Sequence, residues 1–380
     1  MNLELLQILL NIVLIFTALY LIFITSFTIG LNSLKEKFYN YNKNLTTKVS
    51  VLIAARNEED NIEKLLESLC NQSYNKDLFE VIIVDDHSTD NTKDIIKRYI
   101  NNREIDLKII EADNIGKKAA ISQALHSAVN KLVIVTDADC ILNKLWIESI
   151  VGYYQENDCK MILAPVLLSP AKNLFEKMQV LEHISLIGST AGSAAIGFPV
   201  MCNGANMAYE REAALEVEKS RRDFNIPSGD DMFLLEQFVK KFGSKNVKFL
   251  LCKDSIVNTK TCKTVKDFFR QRQRWVSKSK FYTNWKIIFT ALVVLFFNLS
   301  IISLFLGAFF IPALWSLYFL LTITLLLCSL PITTFADETE NTNTIVKWPT
   351  PPEITSGGAV VIEASTGAVL YDKSAYEAFH

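Results

Sequence analysis

The sequence has little net charge and no pattern of paired cysteines. Its formal net charge is −2 over 380 residues, so charge gives no reason to expect nucleic-acid binding. The seven cysteines are scattered, without a CxxC pair or zinc spacing, and we expect free thiols in a reducing compartment. The GxxxxGK[ST] spacing is also missing, which excludes a P-loop nucleotide site.

Charge is absent from two long stretches near the ends of the chain. Residues 5–34 and 287–336 contain no Asp, Glu, Lys or Arg, and a transmembrane helix needs about 20 apolar residues. We predict one N-terminal span, because the stretch is too long for a signal peptide and lacks a basic leader. We predict two further spans after residue 285, hinged about Pro312.

Basic residues predict the orientation of these spans. Four lysines at positions 35, 37, 43 and 48 follow the first span, and residues 260–286 hold nine basic residues against one acidic residue. The positive-inside rule therefore predicts a multi-pass protein of the plasma membrane with a cytoplasmic central region. We expect an anchor at 1–34, a catalytic domain at 35–284, transmembrane helices at 285–332 and a tail at 333–380.

Short apolar runs alternate with helical patterns in the first part of the central region. The sequence predicts strands at residues 48–55, 79–84, 107–110 and 132–136, with helices between them at 61–70, after residue 90 and at 116–129. This alternation is typical of an α/β fold with a mostly parallel, doubly wound sheet. Beyond it we predict strands at 161–166 and 200–209 and helices at 173–190 and 230–241.

The stretch KLVIVTDADCIL places Asp137 and Asp139 directly after a buried strand. In open α/β sheets, ligands bind outside the carboxyl ends of the strands. Two carboxylates at this spacing can share Mg²⁺ or Mn²⁺, or one can bind the metal and the other a ligand hydroxyl. The alternative is a solvated loop that caps the next helix.

Polar groups also follow the first strand and begin a later helix. Ala55, Asn57 and Glu58 lie at the end of the first strand, where they either contact a flat base or cap the following helix. Gly116 and Lys117 open the helix at 116–129. There the lysine either approaches a diphosphate, helped by the helix dipole, or is simply solvated.

Two adjacent carboxylates, Asp85 and Asp86, follow the second strand. Ser88 or Asp90 suffices to cap the next helix, so both carboxylates remain available for a ribose or a nucleobase edge. Carboxylates after several parallel strands meet at one edge of a sheet. The pattern therefore predicts a nucleotide-diphosphate site with a metal.

The second half of the region offers candidates for the acceptor side. Asn206, within VMCNGANMAY, lies in backbone suited to approach a sugar or acceptor, or simply in a turn. Asp230 and Asp231 begin a helix; capping explains one of them, and we favour Asp231 as a general base toward an acceptor hydroxyl.

The stretch FFRQRQRW has two interpretations. It is an amphipathic helix at a membrane surface, or it provides a diphosphate contact from Arg274 and a sugar-stacking ring from Trp275. The membrane interpretation alone does not account for the interleaved glutamines, such as Gln271.

Taken together, VSVLIAARNEE, VDDHSTD, GKKAAI, TDADC, GDD and QRQRW resemble family 2 glycosyltransferases of the membrane-anchored branch, over about residues 48–276. The resemblance implies a GT-A fold and inverting transfer from a nucleotide sugar, most commonly a UDP-sugar. GDD stands where many members have an ED pair, so Asp230 replaces a glutamate.

The resemblance also implies roles for individual residues. Asp86 or Asp85 would contact the nucleotide, and Asp231 would be the base. Diphosphate and metal would be held by Asp137 and Asp139. The QxxRW motif would lie at the acceptor and diphosphate end, with the residues Gln271, Arg274 and Trp275.

We therefore expect a metal-dependent glycosyltransferase acting on a lipid-linked or glycan acceptor. Few predicted spans remain for a translocation channel, so processive polysaccharide synthesis is the alternative. A nucleotidyltransferase of the same fold would not need the anchors or the RQRW stretch. A non-catalytic membrane scaffold would not need to keep Asp137, Asp139 and Asp231.

The tail does not fit this family. SLPITTFA at 329–336 resembles the end of a signal peptide, and the residues from Pro351 onward resemble the start of a penicillin-binding D-alanyl-D-alanine carboxypeptidase. The tail contains no SxxK nucleophile motif, so we expect no carboxypeptidase activity from it. We expect a gene fusion or an assembly artefact near residues 318–326; an ordinary extracytoplasmic β-hairpin is the alternative.

Overall fold

A seven-stranded sheet forms the centre of the protein. The computed structural model describes residues 3–34, 45–102, 104–219 and 230–323, and two strands beyond them. The strands of the central sheet are β1 (Val49–Ala55), β2 (Phe79–Asp85), β3 (Asp106–Glu111), β4 (Leu132–Asp137), β6 (Met161–Leu163), β8 (Met207–Glu210) and β9 (Val247–Phe249). Their order is β3-β2-β1-β4-β8-β6-β9. Strands β1 to β4 run parallel, and β8 is antiparallel to both of its neighbours.

A second, smaller sheet has three strands. It contains β5 (Ile141–Leu142), β7 (Val166–Leu168) and β10 (Val257–Thr259), in the order β5-β10-β7. The helices of the α/β region are α2 (Ile62–Cys70), α3 (Thr92–Asn102), α4 (Lys117–Ser127), α5 (Trp146–Glu156), α6 (Leu174–Ala195), α7 (Arg211–Glu218), α8 (Asp230–Phe242) and α9 (Val265–Val276).

Successive residues of β1 point to opposite faces of the sheet and build two cores. Val51 and Ile53 pack in one core with residues of α2 and α5, such as Trp146. Leu52 packs in the other core with residues of α4 and α8, such as Phe238. The period-2 alternation of side chains along a strand causes this division. The predicted doubly wound, mostly parallel α/β sheet is therefore confirmed.

Two of the predicted strands are wrong in extent. The strand at 161–166 is interrupted, because β6 ends at Leu163 and β7 begins at Val166 in a different sheet. Of the strand at 200–209, only the segment from Met207 pairs, because the preceding residues turn, with the Asn206 N–H donating to the Asn203 carbonyl at 3.2 Å.

Three apolar helices, α1 (Leu3–Ser33), α10 (Trp285–Ala308) and α11 (Leu314–Ile323), carry the charge-free stretches. Two segments, Leu10–Ser33 and Trp285–Ala308, are long and apolar enough to cross a membrane by length and composition. Only ten residues of the second predicted C-terminal span are described, and residues 324–332 lie outside the described part.

Helix α1 packs against both α10 and α6. The rings of Tyr20 and Phe297 stack with centroids 4.0 Å apart. A Cβ atom on Gly192 of α6 would lie 2.0 Å from the carbonyl oxygen of Phe27 in α1. The two helix backbones approach so closely there because position 192 has no side chain.

Residues 337–380 form a separate unit. In it, β11 (Ala359–Ile362) pairs antiparallel with β12 (Val369–Lys373). The signal-peptide-like stretch and residues 324–326 of the proposed junction lie outside the described residues. The six described cysteines are free thiols, as predicted for this part of the chain.

Candidate active site

The register of the parallel strands brings two predicted carboxylates to one edge of the sheet. Ala55 at the end of β1 is paired with Asp85 of β2, and the neighbouring Ala54 is paired with Asp137 of β4. The carboxyl ends of the three strands therefore lie side by side at the same height. This arrangement follows from parallel pairing and was expected from the sequence.

Asp86 connects the loops around the predicted nucleotide end. Both of its carboxylate oxygens accept a hydrogen bond from the Gly116 N–H, each at 3.0 Å. The guanidinium of Arg56 lies 3.6 Å from the same carboxylate. The start of α4, which carries Lys117, is thereby fixed beside the ends of β1 and β2.

Asp85 is almost completely buried. One of its oxygens accepts a hydrogen bond from the Ser88 N–H at 3.1 Å and lies 3.4 Å from the Lys93 ammonium. The other oxygen is buried and has no hydrogen-bond partner among the described residues.

Asn57 ties the loop after β1 to the loop after β2. Its N–H donates to the Ser88 hydroxyl at 3.0 Å, and its side-chain oxygen accepts from the Thr89 N–H at 2.8 Å. Neither Asn57 nor Glu58 caps α2, because Glu58 accepts a side-chain hydrogen bond from Asn61 instead. The side chain of Asp90 accepts a hydrogen bond at 3.0 Å from the N–H of Thr92, the first residue of α3.

Asp137 and Asp139 lie among both attractive and repulsive charges. Lys117 pairs with Asp137, and the Thr259 hydroxyl donates to Asp139 at 3.0 Å. Burial, and then the charge of Asp137, raises the pKa of Asp139. Burial also raises the pKa of Glu58, and the charges of Asp139 and Asp137 add to that effect.

Asp137 and Asp139 fit a hard divalent cation whose remaining coordination positions are filled by oxygens of a bound ligand. Among the described residues, no group of three or more His, Cys, Asp or Glu side chains could hold a metal ion. Mg²⁺ typically takes one or two protein carboxylates together with phosphate oxygens. Asp137 and Asp139 supply two carboxylates, and their mutual repulsion, which raises the pKa of Asp139, would be relieved by a cation.

Asp231 lies at the start of α8, and backbone groups orient its carboxylate. One oxygen accepts from the Gly204 N–H at 3.2 Å, and the other accepts from the Met232 N–H at 2.8 Å. A Cβ atom on residue 204 would lie 3.3 Å from the Asp231 Cβ, so a glycine allows this close approach. Asp230 begins the same helix, and its side chain lies outside the described part of the chain.

Lys278 is a buried cation that sequence reasoning missed. It is only 9% exposed, and burial lowers its pKa. The charge of Asp231 opposes this decrease, whereas those of Arg274 and Lys117 add to it. Lys278 therefore lies within electrostatic reach of both the proposed base and the lysine paired with Asp137. Lys278 follows the end of α9 by two residues, so helix periodicity did not indicate it.

In the QxxRW segment, the residue with the most contacts is Arg272. It pairs with Glu182 of α6, donates to the Gln271 side chain at 2.8 Å, and lies 4.3 Å from the ring centre of Trp275. The indole of Trp275 is thus packed against a guanidinium. Arg274 is exposed and has no hydrogen bond or ion pair within the described residues.

Asn206 has a packing role in this structure. Its side chain donates to the carbonyls of Pro165 and Ser255, each at 2.7 Å, and accepts from the Trp146 indole at 3.0 Å. The residue is 1% exposed, so it offers no accessible group to an acceptor. Asn206 thereby links Trp146 of α5 to Pro165, which lies at the break between β6 and β7. The sequence did not indicate that break.

Residues 50–217 match the Glycosyl transferase family 2 profile. Over 116 residues the chain is 32% identical to poly(ribitol-phosphate) beta-N-acetylglucosaminyltransferase TarS of Staphylococcus aureus, covering 30% of this chain and 20% of TarS. Over 139 residues it is 33% identical to the beta-monoglucosyldiacylglycerol synthase of Nostoc sp., covering 35% of this chain and 29% of the synthase.

A solved structure resembles a larger part of the chain. The mannosyltransferase PcManGT from Pyrobaculum calidifontis, in complex with GDP-Man and Mn²⁺, matches with a TM-score of 0.58 and 18% identity. The match covers 87% of this chain and 96% of PcManGT, and it shows a shared fold. Residues 50–217, which carry the strand ends described above, therefore match the family 2 glycosyl transferase profile, and the chain shares the fold of PcManGT. The chain spans less than a third of the length of TarS and of the Nostoc synthase.

Proposed function

We propose that this chain transfers a sugar, with inversion, from a nucleoside diphosphate sugar to a lipid-linked or glycan acceptor at the cytoplasmic face of the plasma membrane. The observation that carries the proposal is the meeting of Asp85, Asp137 and Lys117 at the carboxyl ends of the strands, where Lys117 pairs with Asp137. TarS and the glucosyldiacylglycerol synthase are named as sugar transferases, which supports the reaction class.

The nucleotide would occupy the ends of β1 and β2, near Ala55, Asn57, Glu58 and the two carboxylates Asp85 and Asp86. Lys117 would face the diphosphate from the start of α4, where helix N–H groups also favour anions. We favour a uridine base because of the family resemblance in the sequence.

Asp231 would accept the proton of the acceptor hydroxyl as that oxygen attacks the anomeric carbon. The new carbon–oxygen bond forms on the side opposite the diphosphate, so the configuration inverts. The electron pair of the broken bond leaves with the diphosphate, whose charge Lys117 and Lys278 would balance. Mg²⁺ or Mn²⁺, bound by Asp137 and Asp139, would supply further charge neutralisation for the leaving diphosphate.

A membrane location is supported by α1 and α10, the two helices long and apolar enough to cross a bilayer. It is also supported by the basic residues 260–286, which come directly before α10 begins. We propose the domain division given above, with the anchor, the catalytic domain and the C-terminal helices acting as one membrane enzyme.

A lipid-linked or short glycan acceptor is favoured over polymer synthesis. The residues Gln271, Arg274 and Trp275 lie on α9, and α9 is followed within ten residues by the first C-terminal candidate span. An acceptor carried by the membrane would meet this helix at the bilayer surface. Product length separates the two functions, since a polymerase yields chains and a single-addition enzyme yields one discrete product.

The test measures release of nucleoside diphosphate from a panel of nucleotide sugars, using membranes that contain the full chain, with and without Mn²⁺ or Mg²⁺. We expect metal-dependent release from one donor, lost in Asp139→Ala. Asp106→Asn is the matched control, because this exposed carboxylate lies at the amino end of β3, away from the carboxyl ends of the strands that form the site. Release that is independent of metal, or that survives Asp139→Ala, would contradict the proposed metal site.

A further inference from the structure

Helix α10 has one buried and one exposed face. The buried face packs against α1: the ring of Phe297 stacks on Tyr20 with centroids 4.0 Å apart, and Leu304 packs with Val13. On the opposite side of the helix, the exposed residues include Ile288, Ala291, Leu295, Asn298 and Ile302. We call these five residues the outer seam.

The residues of the outer seam follow one another at intervals of 3, 4, 3 and 4 positions. This is the heptad spacing with which two helices pack side by side in a left-handed pair, in water and in membranes alike. Ile288, Leu295 and Ile302 recur at every seventh position and are 38%, 52% and 54% exposed. Because almost every residue of α10 is apolar, the spacing alone does not distinguish this face from its neighbours.

Asn298 distinguishes the outer seam from the other faces of α10. It carries the one side-chain amide of this helix and lies near the middle of the candidate span. Its Nδ2 donates one hydrogen bond to the Val294 carbonyl at 2.7 Å. The hydroxyls of Thr290 and Ser300 also donate to carbonyls four residues back, which uses their single proton.

The amide of Asn298 has further hydrogen-bonding capacity, because a second N–H and the carbonyl oxygen remain. Within the part of the chain that the structure describes, neither of these groups has a partner. A polar group that stays unpaired in the hydrocarbon of a bilayer is costly, and such groups in transmembrane helices usually bond across to another helix. The position of Asn298 therefore indicates a helix that packs on the outer seam.

A second copy of α10 is the helix that fits this amide. Chains inserted in the same orientation place their α10 helices parallel, and in a parallel pair with two-fold symmetry identical positions face each other. Each Asn298 then directs a partly positive N–H at the partly negative carbonyl oxygen of the other, so one contact satisfies both amides. In coiled coils, a single asparagine in an apolar heptad seam fixes the register and the number of helices in the same way.

We propose that α10 is a dimerisation helix, and that two copies of this chain pair along the outer seam with their Asn298 amides hydrogen-bonded to each other. The contact between α10 and α1 is preserved in the dimer, because the buried face and the outer seam lie on opposite sides of the helix. No residue of the candidate active site takes part, so the inference goes beyond the proposed transfer reaction. It rests on the proposed membrane location of α10.

The experiment is disulfide crosslinking of the full chain in membrane vesicles, read by non-reducing gel electrophoresis after a carbonate wash that retains only integral membrane proteins. Leu295→Cys places a thiol in the outer seam. Leu292→Cys is the matched control, because Leu292 is also exposed, at 43%, but lies off the seam. The unchanged chain controls for the native cysteines.

A second measurement gives the strength of dimerisation. Donor-labelled and acceptor-labelled full chains are mixed in vesicles, and energy transfer is followed as the vesicles are diluted with lipid. The unchanged chain is compared with Asn298→Leu, which removes the amide and keeps the helix apolar, and with Asn298→Gln, which keeps an amide.

We expect several-fold more crosslinked dimer from Leu295→Cys than from Leu292→Cys. We expect Asn298→Leu to weaken dimerisation by about 3–30-fold and Asn298→Gln to retain most of it. Equal crosslinking at the two positions, or an unchanged dimerisation constant in Asn298→Leu, would overturn the proposal. Monomers at every lipid dilution would also overturn it and leave the membrane location and the transfer reaction standing. Loss of the chain in the carbonate wash would overturn the membrane location and the dimer together.

Discussion

The guanidinium of Arg272 donates to both carboxylate oxygens of Glu182 and so joins α9 to α6, with its Nε 3.1 Å from one of them. The same guanidinium lies 4.3 Å from the ring centres of Phe268 and Trp275. The two arginines of the RQRQRW stretch therefore have different surroundings. Arg272 packs between two helices, whereas the side chain of Arg274 is exposed.

Loss of the ion pair between Arg272 and Glu182 should destabilise the fold. We expect Arg272→Leu to lower the free energy of unfolding by about 1–2 kcal/mol, because a hydrogen-bonded ion pair is lost and solvent partly screens Glu182. Denaturant midpoints in detergent measure the change, and a double-mutant cycle with Glu182→Gln isolates the pair. Arg274→Leu is the control, with an expected change within about 0.5 kcal/mol; equal losses in both variants would contradict the assignment.

Asp231→Asn should remove the proposed base and preserve donor binding. The amide is nearly isosteric but cannot take a proton, so transfer should fall by about 10²–10⁴-fold. Calorimetric titration with the nucleoside diphosphate should give an affinity close to that of the unchanged protein. Turnover that survives the substitution would show that another group acts as base.

Lys278→Gln should impair transfer, because the position would lose a cation near both Asp231 and Lys117. We expect a loss of roughly 10-fold in transfer rate, which corresponds to about 1.4 kcal/mol of lost charge stabilisation. Lys280→Gln is the matched control, since that lysine is exposed and lies over the Phe281 ring. Equal activity of the two variants would exclude a role for Lys278.

The pKa of Glu80 predicts how stability depends on pH at a position far from the candidate site. Burial acts to raise its pKa, but hydrogen bonds from Lys108, Ser50 and the Val129 N–H together outweigh burial and lower the pKa below its ordinary value of 4.5. Because the folded-state pKa is depressed, its contribution is complete above pH 4.5 and is lost as the pH falls through the folded-state pKa.

We therefore expect Glu80→Gln to cost about 1–3 kcal/mol at pH 7. Its difference from the unchanged protein should shrink below pH 4.5. Unfolding curves at several pH values measure this, and a difference that is constant with pH would contradict the explanation. Donor binding should be unaffected, because Glu80 lies near the amino end of β2.

Gly192→Ala should loosen the contact between α1 and α6. The new Cβ would lie 2.0 Å from the Phe27 carbonyl oxygen, so a backbone must move, and overpacking of this kind costs about 1–3 kcal/mol. Gly307→Ala is the control, because its Cβ would meet only the end of the Leu314 side chain, at 3.1 Å. Thermal stability in detergent should fall for the first variant and change little for the second.

Local patterns were sufficient for the α/β layout and for the carboxylates at the strand ends. Apolar runs of β-branched residues give β1, β2 and β4, and parallel pairing places Asp85 and Asp137 at the same end of the sheet. The strand order, with β1 between β2 and β4, came from the structure. The prediction failed at 161–166 and 200–209. At 161–166, apolar residues continue through the strand break, and a run of hydrophobic residues does not indicate which sheet each residue joins. At 200–209, residues 203–206 form a turn, which was the alternative that the sequence left open.

The sequence by itself determined the alternation of strands and helices, the carboxylates of the site and the two charge-free segments, because each depends on residues adjacent in the chain. Only the tertiary structure decided that Asn206 and Lys278 are buried and that Arg272 joins α9 to α6. Those relationships join residues distant in sequence. Burial and pairing at that separation depend on how the elements pack, which local spacing does not encode.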